Sequence, residues 1–310
     1  MPILRDAFLA LSTNGLVREW VVNFPLSRRV SRRFVAGETL DEAIHVVKEL
    51  NERNIQVTFD QLGESVSKES EARAAKDGYL RALDAIAATN LPTQVSLKLT
   101  QMGLDLSPDL CLDNVRQIIA RAKQIGTMVT IDMEDSKYTQ TTLNIFKTLR
   151  EEFDNVGIVI QSYLYRSEED VKALIAMGAT VRLCKGAYKE PDQVAFPLKK
   201  DVDANYLHLA QMFWQPNGKN NGAYLQLATH DEKIIGWAKQ YTTENKIDRA
   251  RFEFQMLYGI RSDLQRRLAA DGYTMRVYVP YGTHWYPYFM RRLAERPANV
   301  VFLVSNLFKS

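Results

Sequence analysis

Cysteine and the usual metal-binding patterns are scarce in this 310-residue sequence. The two cysteines, Cys111 and Cys184, are too few for a disulfide framework or a cysteine-based metal cluster. The four histidines are dispersed and no HExxH string occurs, so we predict no metal site. This composition fits a protein of the reducing cytoplasm.

Several other motifs are also absent. There is no GxGxxG loop, no GxxxxGKS/T loop and no GxSxG elbow, so the sequence indicates no Rossmann site, P-loop or serine hydrolase. No run reaches the 18 or so apolar residues of a membrane-spanning helix. Net charge is only +3 and its sign is well mixed along the chain, which gives no basis for binding nucleic acid. The acid-free basic segment 26–37 is a candidate for peripheral membrane contact.

Eight short runs with β-strand character recur at intervals of roughly 25–40 residues, as strand-loop-helix-loop units do. The predicted strands are Gln56–Asp60, Gln94–Lys98, Met128–Asp132, Gly157–Gln161, Thr180–Lys185, Tyr224–His230, Phe252–Gln255 and Met275–Val279. Helical periodicity lies between them, with Ser107 and Ser167 as predicted N-caps. This alternation predicts an α/β fold, a single closed (β/α)₈ TIM-like barrel over residues 56–310. Residues 1–55 are predicted to form a helical segment packed on the outside or bottom of the barrel.

Each predicted strand ends in or near a polar or ionisable side chain. Burial of such groups without partners is costly, and a strand covered by helices does not need them. In barrels of this type the active site lies at the carboxyl ends of the strands, so these residues predict a polar, ligand-filled mouth. The residues concerned are Asp60, Lys98, Asp132, Gln161, Arg182, Lys185, His230, Gln255 and Tyr278.

Two adjacent arginines, Arg291 and Arg292, follow the last predicted strand on a helix that would overhang the mouth. Glu295 is three or four positions further along, where it could pair with either arginine. Guanidinium groups bind carboxylates through two parallel hydrogen bonds. The two arginines therefore predict a site for a small molecule with a carboxylate. Tyr278 and Tyr288 could line the part of the site that holds the apolar portion of this molecule.

The residues alone leave two classes of enzyme open. Lys98 and Lys185, both at strand ends, are compatible with a Schiff-base lyase or aldolase. In the other class a cofactor lies in the mouth, and the protein supplies orientation and charge. A catalytically inactive barrel used for binding is a third interpretation.

Six segments, in order along the chain, resemble the signature segments of the proline dehydrogenase family. They are Ser96–Leu99, Ile131–Glu134, Val181–Tyr188, Ala228–Asp231, Phe252–Gln255 and Arg291–Glu295. At 310 residues the chain is too short for the fused aldehyde dehydrogenase of bifunctional members, so it resembles the monofunctional form. The resemblance implies a distorted barrel that binds FAD non-covalently and oxidises L-proline to Δ¹-pyrroline-5-carboxylate. Electrons would pass to a membrane quinone, and the product to a separate pyrroline-5-carboxylate dehydrogenase.

The resemblance also implies roles for individual residues. Asp132 and Arg182 would be catalytic, and Glu64 would form a gate by pairing with Arg291. The substrate-binding residues would be Lys98, Leu257, Tyr278, Tyr288, Arg291, Arg292 and Glu295. The cofactor-binding residues would be Met133, Gln161, Arg182, Lys185, Gly186, Ala187, Thr229, His230 and Gln255.

The same resemblance implies that Tyr288 would crowd a hydroxyl group on the substrate ring, which favours proline over hydroxyproline. The loop 189–200 is either a lid over the mouth or a surface excursion. We expect a cytoplasmic protein that contacts the inner membrane at its periphery.

Overall fold

Eight parallel strands form a closed barrel in the order in which they occur along the chain. The computed structural model describes residues 31–214 and 221–295. The strands are β1 (Ile55–Gln61), β2 (Thr93–Leu97), β3 (Val129–Ile131), β4 (Val156–Gln161), β5 (Thr180–Cys184), β6 (Tyr224–Ala228), β7 (Phe252–Leu257) and β8 (Met275–Tyr281). All eight predicted strands, and with them the (β/α)₈ fold, are therefore confirmed.

Helices alternate with the strands. Within the described residues the α-helices are α1 (Leu40–Asn51), α2 (Glu69–Thr89), α3 (Pro108–Gln124), α4 (Thr139–Glu152), α5 (Ser167–Ala176), α6 (Lys199–Phe213), α7 (Glu232–Glu244), α8 (Ser262–Ala270) and α9 (Trp285–Glu295). None of these helices has both the length and the apolar character needed to cross a membrane.

Successive side chains of a strand point to opposite faces, and in this barrel the two faces differ sharply in polarity. One set is aliphatic or aromatic and fully buried among the helices, as are Val57 and Phe59 on β1 and Leu183 on β5. The other set, which includes Asp60 and Arg182, points into the barrel and is largely polar. The apolar core therefore lies between the sheet and the helices, whereas the interior of the barrel is polar.

The last helix departs from a regular barrel, in which each helix packs on the outside of the sheet. Only three residues separate β8 from α9. Trp285 and Phe289 of α9 pack in a separate apolar cluster with Phe34, Leu62 and Ile260, apart from the main core. Helix α9 therefore lies at the carboxyl end of the barrel, which matches the predicted distortion.

Helix α1 packs on the outside of the sheet against β1 and β8, where a regular eighth helix would lie. A capping box begins it: the Glu42 amide donates to the Thr39 hydroxyl (3.3 Å), and the Thr39 amide donates to the Glu42 carboxylate (3.2 Å). In the described part of the chain the N-terminal segment thus covers the side of the barrel, not its bottom. Residues 1–30, with the first part of the basic segment 26–37, lie outside the described residues.

The two predicted serine caps have different outcomes. Ser107 caps α3 as predicted, because its hydroxyl accepts a hydrogen bond from the Leu110 amide (3.3 Å). The prediction for Ser167 was wrong by one residue: Arg166 is the N-cap and Ser167 is the first residue of α5. The Ser167 hydroxyl instead donates to the Leu164 carbonyl (2.7 Å), which the preceding turn brings within reach.

The position of the core between sheet and helices leads to a stability prediction. Leu97 on β2 is fully buried, so Leu97→Ala should lower the free energy of unfolding by about 2–5 kcal/mol because a cavity remains. The matched substitution Leu198→Ala, at a side chain that is 52% exposed, should change it by no more than about 0.5 kcal/mol. Urea denaturation followed by circular dichroism measures both. Equal effects would contradict this location of the core.

Candidate active site

A cavity of about 1060 Å³ opens at the carboxyl end of the barrel. Its volume is slightly above the range of about 300–1,000 Å³ that is usual for small-molecule sites. Most of the site residues predicted from the sequence line it, namely Lys98, Asp132, Met133, Gln161, Arg182, Lys185, Gly186, Ala187, Thr229, His230, Gln255, Leu257, Tyr278, Tyr288, Arg291 and Arg292. Glu64 lies beside this set and contacts Arg291. Glu295 ends α9, and its side chain lies outside the described residues.

Asp132, which directly follows β3, is the centre of the polar cluster at the mouth. Its Oδ1 accepts hydrogen bonds from Ser96 Oγ (2.6 Å) and Arg182 Nη1 (2.7 Å). Its Oδ2 accepts a hydrogen bond from Tyr278 Oη (2.8 Å) and lies 3.7 Å from Lys98 Nζ. Residues of β2, β5 and β8 therefore hold this carboxylate in one orientation.

The Lys98 ammonium lies between two carboxylates. Its Nζ is 3.2 Å from Asp60 Oδ2, and Asp60 also accepts a hydrogen bond from Tyr79 Oη (3.2 Å). Burial alone would lower the pKa of Lys98, but the neighbouring carboxylates, Asp60 first, outweigh it and raise the pKa above its ordinary value. Because a Schiff-base nucleophile must be an unprotonated amine, these contacts favour Lys98 as a fixed positive charge.

Lys185, the other lysine at a strand end, is also paired. Its Nζ lies 2.6 Å from Asp203 Oδ1 on α6 and 2.8 Å from Asp231 Oδ2, the residue that caps α7. Burial raises the pKa of Asp231, but hydrogen bonding from Lys185 outweighs it and lowers the pKa to about 2. Both lysines are thus paired with carboxylates, which weakens the lyase alternative.

Both arginines of α9 line the cavity. Arg291 Nη1 donates to Glu64 Oε1 (2.6 Å), the contact that the resemblance implies for a gate. Burial alone would raise the pKa of Glu64, but Arg291 lowers it below the ordinary value, so this pair is ionic. The Arg292 guanidinium lies 5.1 Å from the centre of the Tyr288 ring. Adjacent arginines can share one site here because the cavity lies alongside the helix.

Arg182 Nη2, a donor, and Gln161 Oε1, an acceptor, are buried beside the cavity without a hydrogen-bond partner within the described protein. Gly186 passes the cavity with a φ of +107°, and a Cβ there would come within 2.5 Å of the Tyr163 ring. Glycine is therefore required at this turn. The site therefore offers a hydrogen-bond donor at Arg182, an acceptor at Gln161 and an accessible backbone at Gly186 to a ligand that has both polar and apolar parts.

The loop 189–200 is attached to the rim of the barrel. The Ser136 amide and hydroxyl both donate to the Glu190 carboxylate, the amide at 2.7 Å. The Phe196 amide donates to the Tyr163 carbonyl (2.7 Å). Opening of this loop as a lid would have to break these contacts.

Asp60, which the sequence placed at the mouth without a role, contacts Lys98. The sequence interpretation gave no role to Ser96, which contacts Asp132, or to Tyr188, which lines the cavity and whose pKa is raised by burial. Ser96 is two positions before Lys98, and its inward orientation follows from the period of two along a strand. That alternation, applied to whole strands instead of their last residues, would have found it.

Comparison with known proteins identifies the family. Residues 43–305 match the family model described as proline dehydrogenase. The chain is 45% identical to proline dehydrogenase 1 of Bacillus subtilis (strain 168) over 99% of this chain and 100% of that protein. It is 43% identical to the proline dehydrogenase of Deinococcus radiodurans over 90% of each.

Solved structures agree. Proline utilization A from Bdellovibrio bacteriovorus, inactivated by N-propargylglycine, superposes with a TM-score of 0.79 and 26% identity. The match covers 94% of this chain and 36% of that protein, so this chain spans about a third of the larger enzyme. The family model and the near full-length relatives, together with the barrel and its mouth, show that the chain belongs to the proline dehydrogenase family.

Proposed function

We propose that this protein is an FAD-dependent oxidoreductase that converts L-proline to Δ¹-pyrroline-5-carboxylate and passes the electrons to a quinone. One observation carries the proposal: Arg291, Arg292 and the Lys98 ammonium line a single cavity together with the Arg182–Asp132 pair. Such a cavity suits a small molecule that has a carboxylate at one end and a reacting carbon at the other.

The cavity residues fit a flavin. Arg182 Nη2 and Gln161 Oε1, which lack protein partners, match the alternating acceptors and donors along an isoalloxazine edge. When bound, FAD would supply the two-electron acceptor that takes the hydride leaving C5 of proline. The ring would be held by Met133, Gln161, Arg182 and Gln255, and the ribityl and pyrophosphate groups by Lys185, Gly186, Ala187, Thr229 and His230.

The substrate carboxylate would be bound by the guanidinium groups of Arg291 and Arg292, with Lys98 adding a third positive charge. A fork of two parallel hydrogen bonds fixes a carboxylate in direction as well as distance. Positioning of this kind is a large part of catalysis because it removes the entropy cost from the reaction step. The apolar part of proline would pack against Leu257, Tyr278 and Tyr288, and Tyr288 would oppose a hydroxylated ring. Glu64 would close the site through Arg291.

Two residues would act on the reaction itself. Arg182 places a buried positive charge at the mouth, where the hydride acceptor would gain negative charge when the substrate loses its hydride. Asp132 holds both Arg182 and Tyr278 by hydrogen bonds and therefore sets their positions.

We also propose that the protein is cytoplasmic and that it meets its quinone at the membrane surface. It would release the product to a separate pyrroline-5-carboxylate dehydrogenase.

A spectrum of the purified protein tests the proposal. We expect a yellow protein with flavin absorption bands that bleach when L-proline is added without oxygen. Borohydride treatment with a keto substrate should leave the mass unchanged, because Lys98 and Lys185 are both paired with carboxylates. A colourless protein that gains the mass of a reduced Schiff base would instead establish the lyase.

Kinetics of Arg292→Lys test the carboxylate site. A single ammonium cannot reproduce a bidentate fork, so KM for proline should rise about 10–100-fold, the equivalent of one charged hydrogen bond. The control Arg267→Lys, at a side chain that is 62% exposed on α8, should leave KM unchanged. An unaltered KM in Arg292→Lys would refute the assignment.

A further inference from the structure

The polar interior of the barrel continues below the active site to the amino ends of the strands. A second cavity, of about 410 Å³, lies there and is lined by polar residues, among them Glu253 of β7 and Arg276 of β8. Arg276 Nε donates to Glu253 Oε1 (2.8 Å), and Arg276 Nη2 lies 3.2 Å from Glu253 Oε2. Arg276 is only 5% exposed and Glu253 only 2% exposed.

A continuous chain of hydrogen bonds joins this buried ion pair to the active site. Glu253 Oε1 also accepts a hydrogen bond from Gln255 Nε2 (2.6 Å), two residues along the same strand. Gln255 Oε1 in turn accepts one from Arg182 Nε (2.7 Å). Arg182 Nη1 completes the chain by donating to Asp132 Oδ1 (2.7 Å) and Ser96 Oγ (3.0 Å).

Glu253, which only accepts, and Arg182, which only donates, fix the direction of this chain from its two ends. A glutamine amide can turn over, since its two ends are almost equal in shape, and only its partners decide its orientation. A carboxylate accepts and never donates, so Glu253 permits only the orientation in which Gln255 Nε2 points toward it. The amide oxygen of Gln255 must then face Arg182 Nε. The opposite orientation would place two donors against each other.

Arg276 makes the buried carboxylate tolerable. Its guanidinium neutralises Glu253, and it is itself fixed by hydrogen bonds to the Val57 carbonyl (3.0 Å) and the Gln56 side chain. Stability alone does not call for this pair, because buried ion pairs can often be replaced by apolar residues without loss. Branched apolar side chains are the usual filling of such barrels.

We propose that Glu253 and Arg276 are positioning residues, which fix the Arg182 guanidinium through Gln255 from the opposite end of the barrel. The expected effect of this role on turnover rests on the proposed function, whereas the expected effect on the Arg182 hydrogen bond does not.

The double variant Glu253→Met/Arg276→Met tests the positioning role, because this variant removes both charges and keeps the bulk of the two side chains. Tyr224→Phe is the matched control, since Tyr224 Oη contacts the other oxygen of Glu253 (3.4 Å) and not the chain to Gln255.

The first measurement needs neither cofactor nor activity. With arginine labelled at Nε with ¹⁵N, the Arg182 N–H signal, assigned through Arg182→Lys, reports its hydrogen bond to Gln255. We expect exchange of this hydrogen with solvent to be at least about tenfold faster in the double variant, as for loss of one charged hydrogen bond. Tyr224→Phe should match the parent protein. Unchanged exchange in a folded double variant would overturn the proposal.

The second measurement is the division between kcat and KM for proline. We expect kcat to fall about tenfold while KM stays within about twofold, because Arg182 would act on the reaction and not on the carboxylate. A raised KM with unchanged kcat would overturn this part. If the parent protein does not oxidise proline, the proposed function fails, whereas the exchange measurement still decides the positioning role.

A further variant covers the case in which the double methionine variant does not fold. Glu253→Gln/Arg276→Gln keeps polar groups in the cavity but replaces the charged acceptor by a neutral amide that can turn either way, so Gln255 and, through it, Arg182 are held less firmly. Faster exchange at Arg182 is again the expected result, and parent-like exchange again contradicts the proposal.

Discussion

The structure depends on the alternation of side chains along eight parallel strands closed into a barrel. Apolar residues on the outer face of the sheet, such as Val57 and Leu183, pack against the helices and form the core. The inner face is not needed for this core and can therefore carry polar side chains. Polar groups removed from water destabilise a fold unless they bond to one another. The interior therefore has to be a connected network, and residues such as Asp132 and Glu253 are each shared by several donors.

Four cationic side chains, those of Lys98, Arg182, Arg291 and Arg292, line the cavity at the mouth. The carboxylates of Asp60, Asp132 and Glu64 contact members of this set and hold them in place. Coulomb interactions are weakly screened in a buried setting, so these cations would attract an anionic group on a ligand. This argument for a carboxylate is independent of the resemblance to any family.

The sequence was sufficient for features set by local patterns. The strand positions and the Ser107 cap follow from periodicity and from capping chemistry, and the strand-end residues follow from the rule that places active sites in such barrels. Contacts between distant elements were not accessible in the same way. Asp203 lies on α6 and pairs with Lys185, and Glu190 bonds to Ser136 across 54 positions; neither spacing carries a signal. The one-residue error at Ser167 has a similar cause, since the competing Leu164 carbonyl is placed by a turn.

The position of α9 explains why adjacent arginines can serve one site. Side chains one position apart on a helix diverge by about 100°, so two of them reach the same ligand only when it lies along the side of the helix. The short connection after β8 and the packing of Trp285 and Phe289 against Phe34 and Leu62 hold α9 at the end of the barrel, not on its flank. Helix α1 then covers the flank that α9 leaves exposed, so one displacement accounts for both the arginine pair and the N-terminal helix.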